Sequence, residues 1–184
     1  AILDGTPWRV DLLETDRGLA LANAGVGLDA EVVRAVAEAR RGGVGGYLRW
    51  IRPIAATFVR YVPPALEVVV DGRAHARGGG VVVQNSFCYG GLFTLDRGAR
   101  MDDGRLEVTV LRQANRRNYF LMLLRAFTGR LDRDHGVTML SGTHVEVRSA
   151  GGAAVQLDGD PAGRTPVWVR IRPGALTLVR PPAG

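Results

Sequence analysis

The stretch VTMLSGTHVEVRSAGGAAVQLDGDPAGRTPVWVRIRPGALTLV, residues 137–179, decides the fold class. In it, short runs of valine, leucine and isoleucine alternate with turns made of glycine, proline and aspartate. The pattern predicts five strands, namely Val137–Leu140, His144–Val147, Ala154–Leu157, Val167–Ile171 and Leu176–Val179. Many short strands at this spacing are typical of a β-sandwich or barrel that carries a few helices. The sequence therefore predicts a mainly β, α+β fold.

The rest of the chain adds further strands and three helices. Strands are predicted at residues 7–13, 18–26 and 106–111, together with a hairpin formed by Leu66–Val70, the Asp71-Gly72 turn and Gly80–Gln84. Helices are predicted over Asp29–Arg41 with Asp29 as the cap, over residues 47–61 with a kink at Pro53, and over Asn118–Phe127, which is apolar enough to be mostly buried. No repeat, low-complexity tract or linker divides the sequence, so we expect one domain over residues 1–184.

The composition is that of an ordinary globular domain, with 46% hydrophobic and 23% charged residues. All 24 basic residues are arginine, and the formal net charge is +6. Arginine binds phosphate through a planar fork of two N–H groups, so a basic face of this kind suits phosphate esters or anionic head groups. The arginines are scattered and no basic run is interleaved with aromatic residues, which argues against a nucleic-acid partner.

Cysteine usage and hydropathy bear on the compartment. Cys88 is the only cysteine, so an internal disulfide is excluded and a reducing cytoplasm is expected. We interpret Cys88 as a small buried hydrophobic residue because no histidine lies near it in sequence. No apolar run approaches the roughly 20 residues that span a bilayer, so we expect any membrane contact to be peripheral.

An acidic loop is the first candidate for chemistry. Gly90-Gly91 opens it, Asp102-Asp103 closes it, and Gly104 leads into the predicted strand at residues 106–111. Such a loop can be a plain turn, because Asp-Gly pairs favour tight turns. Alternatively, one carboxylate accepts the proton of an attacking hydroxyl while its neighbour holds a metal ion or a water molecule.

Two further segments pose the same choice between turn and site. Asp158-Gly159-Asp160 is a second acidic turn, and Asn23-Ala-Gly-Val-Gly-Leu-Asp29 places glycines between a predicted strand and a predicted helix. Gly-X-Gly without a third glycine is weak support for a dinucleotide site, and a phosphate-binding loop of the lysine type is absent. The three histidines lack metal-ligand spacing.

These segments occur in an order that resembles the diacylglycerol kinase and sphingosine kinase-like lipid kinases of bacterial type. The resemblance runs from the Asn23–Asp29 segment through Gly90-Gly91, Asp102-Asp103-Gly104 and Asp158-Gly159-Asp160 to the closing Ala175-Leu-Thr-Leu-Val-Arg-Pro181. It implies the β-sandwich C-terminal domain of the NAD kinase/diacylglycerol kinase-like fold. It further implies that ATP binds in a cleft between this domain and an N-terminal domain with a Gly-Gly-Asp-Gly-Thr loop, which this sequence does not contain.

The resemblance also implies roles for individual residues. Asp103 is expected to be the general base, or to support it, and the neighbouring Asp102 is the candidate ligand for Mg²⁺. Asp158-Gly159-Asp160 and either Arg40 or Arg41 are expected to contact the nucleotide. Asp29, with the Gly90-Gly91 loop, is expected on the side of the acceptor lipid.

Two positions depart from the family pattern. Relatives carry a Pro-Asp or Pro-Glu pair where this sequence has Arg97-Gly98, with Asp96 displaced by two positions. This departure puts the Mg²⁺ site in doubt. The late acidic turn ends in Asp160 where relatives have glutamate, so its side chain reaches less far toward a nucleotide.

The function expected from the sequence is that of a domain of a two-domain lipid kinase. It would transfer the γ-phosphoryl group of ATP to a hydroxyl of diacylglycerol or a sphingoid-like lipid, and the chain alone would be inactive. Expected partners are the lipid, ATP and the N-terminal domain, with a homodimer as an open alternative. The competing interpretations are a non-catalytic lipid-binding or regulatory module, and a kinase for a soluble acceptor such as NAD.

Overall fold

The computed structural model describes residues 5–41, 48–89, 93–96, 98–112, 115–128, 131 and 136–180. The strands are β1 (Thr6–Thr15), β2 (Gly18–Ala20), β3 (Asn23–Val26), β4 (Leu66–Val70), β5 (Ala74–Gly78), β6 (Gly80–Gln84), β7 (Cys88–Tyr89), β8 (Phe93–Thr94), β9 (Leu106–Leu111), β10 (Val137–Gly142), β11 (His144–Arg148), β12 (Ala154–Leu157), β13 (Asp160–Arg164) and β14 (Val167–Arg180). The helices are α1 (Leu28–Arg41), α2 (Leu48–Arg60) and α3 (Arg116–Phe127).

The larger strands form two six-stranded antiparallel sheets. Sheet I has the order β2-β1-β14-β11-β4-β5, and sheet II has the order β10-β9-β6-β3-β12-β13. Strands β7 and β8 pair separately as a short hairpin. The two sheets bury a shared layer of side chains, so the prediction of a mainly β sandwich is confirmed.

The core between the sheets follows from the period of two in each strand. Leu66, Val68 and Val70 of β4 are buried, as are Val81 and Val83 of β6. Successive side chains of a strand point to opposite faces, so each strand gives alternate residues to this core. Each buried aliphatic side chain of this size stabilises the fold by about 1.5–3 kcal/mol.

The helices form a second apolar cluster on the other face of sheet II. Val82 of β6 and Leu111 of β9 pack there with Leu28 of α1 and Tyr119 of α3. The hydroxyl groups of Tyr61 and Tyr119 both donate to the carbonyl oxygen of Gly79, at 3.2 and 3.1 Å. The three described helices therefore pack on the same side of the sandwich.

The predicted hairpin of Leu66–Val70 with Gly80–Gln84 is wrong. Asp71 and Gly72 have φ angles of 50° and 66° and close a tight turn, so β4 pairs at once with β5. Strand β6 pairs instead with β3 and β9 of sheet II. The sequence pattern does not predict β5, because the inward residues of this strand are the small Ala74 and Ala76, which give a weak hydrophobic signal.

Two other predicted strands have different extents. Residues 18–26 are divided into β2, which joins sheet I, and β3, which joins sheet II. The predicted Val167–Ile171 and Leu176–Val179 are parts of the single strand β14, which continues through Pro173-Gly174. That dipeptide lies in a bulge, where the pairing with β1 shifts between Val10 and Leu12.

The predictions for the helices also need correction. Helix α1 begins at Leu28, so Asp29 lies in its first turn rather than before it. Helix α3 is amphipathic and not mostly buried, because Phe120, Leu124 and Phe127 are 62%, 52% and 66% exposed. In the part of the chain that the structure describes, no helix is long and apolar enough to cross a membrane.

Candidate active site

The acidic loop precedes β9, and its two carboxylates lie in different surroundings. Asp102 is engaged through both oxygens, since Trp8 Nε1 donates to Oδ2 at 3.0 Å and Arg100 Nε donates to Oδ1 at 3.1 Å. The hydrogen bond from Trp8, followed by that from Arg100, lowers the pKa of Asp102. Asp103 is exposed, and its Oδ1 accepts from the backbone N–H of Arg105 at 3.1 Å. Within the described residues, Oδ2 of Asp103 has no hydrogen-bond partner, so this oxygen is open to a ligand.

A buried aspartate of sheet I lies beneath this loop. Asp11 of β1 is 3% exposed. Its Oδ2 accepts from the N–H of Gly104, and its Oδ1 accepts from the N–H of Gly174, both at 2.7 Å. The backbone N–H of Asp11 donates to the carbonyl oxygen of Met101 at 2.6 Å. Asp11 therefore contacts the acidic loop on both sides of the two carboxylates.

Asn85, at the end of β6, connects Asp11 to the turn between β2 and β3. Its Nδ2 donates to the carbonyl oxygens of Asp11 at 2.8 Å and Leu21 at 3.2 Å. Its backbone N–H donates to the carbonyl oxygen of Ala22 at 2.9 Å. Because Asn85 is 1% exposed, it forms part of the interior rather than a surface contact.

The second acidic turn holds the same β2–β3 turn from the other side. The Asp158 carboxylate accepts from the backbone N–H groups of Leu21, Ala22 and Asn23 at 2.6, 2.9 and 2.9 Å. Both of its oxygens are occupied in this way. Asp160 is exposed at the start of β13. Of the two acidic side chains in this turn, Asp160 is the one available to a ligand.

Asp29 forms a polar cluster at the start of α1. Its Oδ2 accepts from the Tyr89 hydroxyl at 2.9 Å and from Gln156 Nε2 at 3.3 Å. Burial raises the pKa of Asp29, against the opposing effect of the hydrogen bond from Tyr89. Burial, and then the charge of Asp29, raises the pKa of Tyr89 as well. The Tyr89 hydroxyl is therefore a donor that keeps its proton.

Gln156 joins this cluster to the second acidic turn. Its Nε2 also donates to Asn23 Oδ1 at 2.8 Å, and its Oε1 accepts from the N–H of Gly159 at 2.7 Å. Gln156 is 1% exposed. A continuous set of hydrogen bonds thus runs from the acidic loop through Asp11, Asn85 and the β2–β3 turn to Asp29.

Polar side chains also cross sheet II between the two regions. Gln84 is paired in register with Asn23 on one side and with Glu107 on the other. It is 1% exposed, and among the residues that the structure describes neither atom of its amide has a hydrogen-bond partner. Burial raises the pKa of Glu107, and the nearby charges of Asp96 and Asp103 act in the same direction. The strand ends near the acidic loop are therefore polar in a face that is otherwise apolar.

The described residues contain no resident metal site. Within the described part of the chain, no group of three His, Cys, Asp or Glu side chains could hold a metal ion. Asp102, the predicted Mg²⁺ ligand, is hydrogen-bonded by Trp8 and Arg100 through both oxygens. Mg²⁺ is bound in many enzymes through one or two carboxylates together with substrate phosphates.

Of the other predicted site residues, some lie at a distance from the site and some lie outside the described residues. Arg40 lies in the last turn of α1, eleven residues beyond Asp29, which is about 16 Å along the helix axis. Arg41 ends that helix. Gly90 and Gly91 lie outside the described residues. The hydrogen-bonded network thus includes Asp158, Gly159 and Asp29 and reaches the backbone on either side of the Asp102-Asp103 pair. The Asp103 side chain itself is bonded to the N–H of Arg105, and Arg40 lies at a distance from Asp29.

A broad groove of about 1710 Å³ lies elsewhere, beside His144 and Trp168 of sheet I. Three of its four described arginines are paired with carboxylates: Arg77 with Glu67 at 3.0 Å, Arg148 with Glu146 at 2.6 Å and Arg170 with Glu14 at 2.7 Å. The fourth, Arg112, donates to Thr138 Oγ1 at 2.6 Å. Exposed ion pairs of this kind contribute about 0–1 kcal/mol each and leave little charge for an anion. We therefore place the candidate active site at the acidic loop and not in this groove.

Local sequence patterns do not predict the residues that connect the site. Asp11, Asn85, Gln156 and Tyr89 bind across the fold but form no local motif. One signal was available, because Asp11 is a charged residue between apolar neighbours in a predicted strand, and such a residue is buried only when its charge is hydrogen-bonded.

Solved structures from Bacillus anthracis str. Sterne share the fold of this chain. A proposed diacylglycerol kinase matches with a TM-score of 0.69 and 17% identity, over 96% of this chain and 57% of that chain. A second proposed diacylglycerol kinase matches with a TM-score of 0.66 and 17% identity, over 96% and 58%. A structure described as a diacylglycerol kinase matches with a TM-score of 0.62 and 13% identity, over 96% and 55%. The chain thus spans little more than half the length of these proteins.

No curated protein sequence matches the chain. The sequence profile described as the YegS C-terminal NAD kinase beta sandwich-like domain matches residues 22–180. That range contains β3 to β14, the acidic loop, Asp29 and the turn at residues 158–160, whereas Asp11 lies before it. The resemblance to a diacylglycerol kinase-like lipid kinase domain is confirmed, and the chain belongs to the family of YegS C-terminal NAD kinase beta sandwich-like domains.

Proposed function

We propose that this domain is the acceptor-binding half of an ATP-dependent lipid kinase. It would transfer the γ-phosphoryl group of ATP to a hydroxyl of diacylglycerol or of a sphingoid-like lipid. The observation that carries the proposal is the state of Asp103. Its carboxylate is exposed, with Oδ2 unpartnered among the described residues, on a loop whose backbone is fixed by the buried Asp11. A base for proton transfer needs this combination of an accessible oxygen and a fixed position.

The proposed step is a direct phosphoryl transfer. The acceptor hydroxyl oxygen attacks the γ-phosphorus, and its proton passes to the carboxylate of Asp103. The bond from the γ-phosphorus to the β–γ bridging oxygen breaks, and ADP leaves. Asp103 then returns the proton to solvent. Positioning and charge stabilisation account for most of the catalysis in reactions of this class.

Asp29 is the proposed contact for the polar end of the acceptor. Its Oδ2 is held by Tyr89 and Gln156, which fixes the direction of the carboxylate. The lipid would approach from a membrane surface, so the proposal includes peripheral membrane contact. The exposed apolar side chains of α3, Phe120, Leu124 and Phe127, support it because they are spaced as one helical stripe.

The nucleotide is proposed to meet the turn at residues 158–160. Asp160 and the carbonyl oxygen of Gly159 would make the contact, because the carboxylate of Asp158 is occupied by three backbone N–H groups and the N–H of Gly159 donates to Gln156. Arg40 and Arg41 remain candidates for the phosphates. Mg²⁺ would arrive as part of the Mg·ATP cosubstrate. The phosphate-binding half of the cleft is proposed to lie on a separate N-terminal domain.

The test is the variant Asp103→Asn in the full-length protein. The amide cannot accept the hydroxyl proton, so we expect kcat for lipid phosphorylation to fall by about 10²- to 10⁴-fold. The KM for the lipid should change little. Rates are measured with ATP and a panel containing diacylglycerol, a sphingoid base and NAD.

Asp96→Asn is the matched control. Asp96 also accepts a hydrogen bond from the backbone N–H two residues later, that of Gly98 at 2.7 Å, but the proposal gives it no role in the reaction. We expect its kcat to stay within about 3-fold of the native rate, as for surface substitutions that disturb no special feature. Native activity in Asp103→Asn would contradict the proposal and favour a non-catalytic module. Phosphorylation of NAD alone would favour a soluble acceptor.

A further inference from the structure

Asp11 is a buried charge that the sandwich itself does not require. Its neighbours in β1 pair with β14 on both sides, Val10 with Leu176 and Leu12 with Arg172. An apolar residue at this position would continue the alternation of the strand. A carboxylate loses hydration when it is buried and is retained only where hydrogen bonds replace the water. The groups that Asp11 binds therefore indicate why a carboxylate is buried at this position.

The bonds of Asp11 converge on the acidic loop. Its backbone N–H reaches Met101, one residue before the carboxylate pair, and its Oδ2 reaches Gly104, one residue after the pair. Two short bonds thus bracket Asp102 and Asp103. The bond to Met101 is an ordinary backbone pair, whereas the bond from Gly104 has the carboxylate as acceptor. Bonds from a backbone N–H to an ionised acceptor are about twice as strong as neutral ones.

The other oxygen of Asp11 ties this arrangement to β14. It accepts from the N–H of Gly174 in the bulge, and the carbonyl oxygen of Gly174 accepts from Arg9 Nε and Nη2 at 3.1 and 2.7 Å. The loop is therefore attached to the longest strand of sheet I rather than to another loop. A carboxylate suits this place because it accepts at both oxygens, whereas an amide can accept at only one.

We propose that Asp11 is a positioning residue that fixes Asp103 for proton transfer from the acceptor. This inference rests on the proposed role of Asp103 as the general base. Asp11 does not touch the substrate and acts through the backbone of residues 101–104. Displacement of a reacting group by about 1 Å can cost 10²-fold in rate, so loosening the loop lowers kcat without removing a binding contact.

The experiment compares Asp11→Asn with Asp71→Asn in the full-length protein. Asp71 is the matched control because its Oδ1 also accepts from backbone N–H groups of a neighbouring segment, those of Thr143 and His144 at 2.9 and 2.8 Å, and it plays no part in the proposed site. We expect Asp11→Asn to lower kcat by about 10- to 100-fold with the KM values for lipid and ATP within about 3-fold of native. Asp71→Asn should lower the melting temperature but leave kcat unchanged.

Two outcomes overturn the inference. One is a native kcat in Asp11→Asn, and the other is a fall in kcat in both variants in proportion to their lost stability, which marks a purely structural role. If Asp11→Asn yields no folded protein, Asp11→Glu is measured, which keeps the charge but displaces the loop by one methylene. A native kcat in that variant also overturns the inference. Asp103→Asn, assayed in parallel, separates the two proposals, because a native rate there contradicts the general base itself.

Discussion

Asp29 is a carboxylate whose surroundings disfavour its charge. It is half-buried at the start of α1, and burial raises the pKa of its side chain despite donors from Tyr89 and Gln156. A charge kept at such a cost is common at functional sites, where a residue is selected for what it binds rather than for stability. The raised pKa of Asp29 has a measurable consequence for the dependence of stability on pH.

We predict that Asp29→Asn stabilises the protein at pH 7. The pKa of Asp29 is higher in the folded state, so the folded protein binds this proton more tightly than the unfolded chain. The contribution of Asp29 to stability is then fully present below its unfolded pKa, about 3.9, and is lost as the pH rises through its folded pKa. Removing the charge should raise the melting temperature by about 2–4 °C, the shift that 1 kcal/mol produces in a domain of this size.

Thermal unfolding of native protein and Asp29→Asn at pH 7 and at pH 4 is the measurement. The advantage of the variant should be larger at pH 7 and should shrink toward pH 4. An advantage that is equal at both values, or larger at pH 4, would show that the carboxylate is not destabilised by burial.

At the scale of elements, the contact between β3 and α1 depends on Gly25, which has no side chain. A methyl group at Gly25 would overlap the carboxylate of Asp29 and lie 2.6 Å from Gln156 Nε2. The glycine lets the first turn of α1 lie directly on the strand. The glycines of the Asn23–Asp29 segment, which resembled a nucleotide loop only loosely, thus include one required for close packing.

We predict that Gly25→Ala destabilises the domain and displaces Asp29. Overpacking of a filled interior costs about 1–3 kcal/mol, which corresponds to a fall in melting temperature of several degrees. The KM for the acceptor lipid should rise in the full-length protein, because the Asp29 carboxylate is moved. Calorimetry and steady-state kinetics measure the two effects.

Gly151→Ala is the control for Gly25→Ala. A Cβ at Gly151 meets nothing within 4 Å, so the same chemical change should leave both the melting temperature and the KM near native. Equal behaviour of the two variants would contradict the packing argument.

The elements that the sequence predicted best are those whose signals are local. The strands at residues 106–111 and 154–157 match β9 and β12, because alternation and flanking turns identify them. The sequence predicts two strands in place of the single strand β14, because Pro173-Gly174 has the composition of a turn. Asp11 and Arg9, both from another strand, bind the backbone of Gly174 and hold that dipeptide in a bulge within the sheet.

At the scale of the whole molecule, the network links the two sheets at one end of the sandwich. Asp11 belongs to sheet I, whereas Asn85 and Gly104 border strands of sheet II. The acidic loop and the turn at residues 158–160 are therefore attached to one rigid frame. The chain spans 57% of the length of the similar solved structure with a TM-score of 0.69, so the rest of a kinase cleft is proposed to come from a second domain.

We predict that the 184-residue chain alone does not phosphorylate lipid. Without the proposed nucleotide-binding half, the γ-phosphoryl group would not be held in line with the acceptor, and positioning of this kind is worth about 10⁵–10⁸ M in effective concentration. The rate should be at least about 10³-fold below that of the full-length protein under the same conditions. A comparable rate from the isolated chain would contradict the two-domain proposal.

The sequence by itself determined the mainly β class, most of the strands and helices, and the family, because alternation, turn residues and ordered motifs are properties of neighbouring residues. It also identified Asp103 and Asp29 as candidates. Only the tertiary structure decided which carboxylates are available, since the partners of Asp11 and Asn85 lie 63 to 163 residues away in the chain. Asp158 and Asp103 both precede a glycine in sequence. The fold alone encloses the first in backbone N–H groups and leaves the second exposed, because hydrogen bonds between distant segments form only once the two sheets have packed.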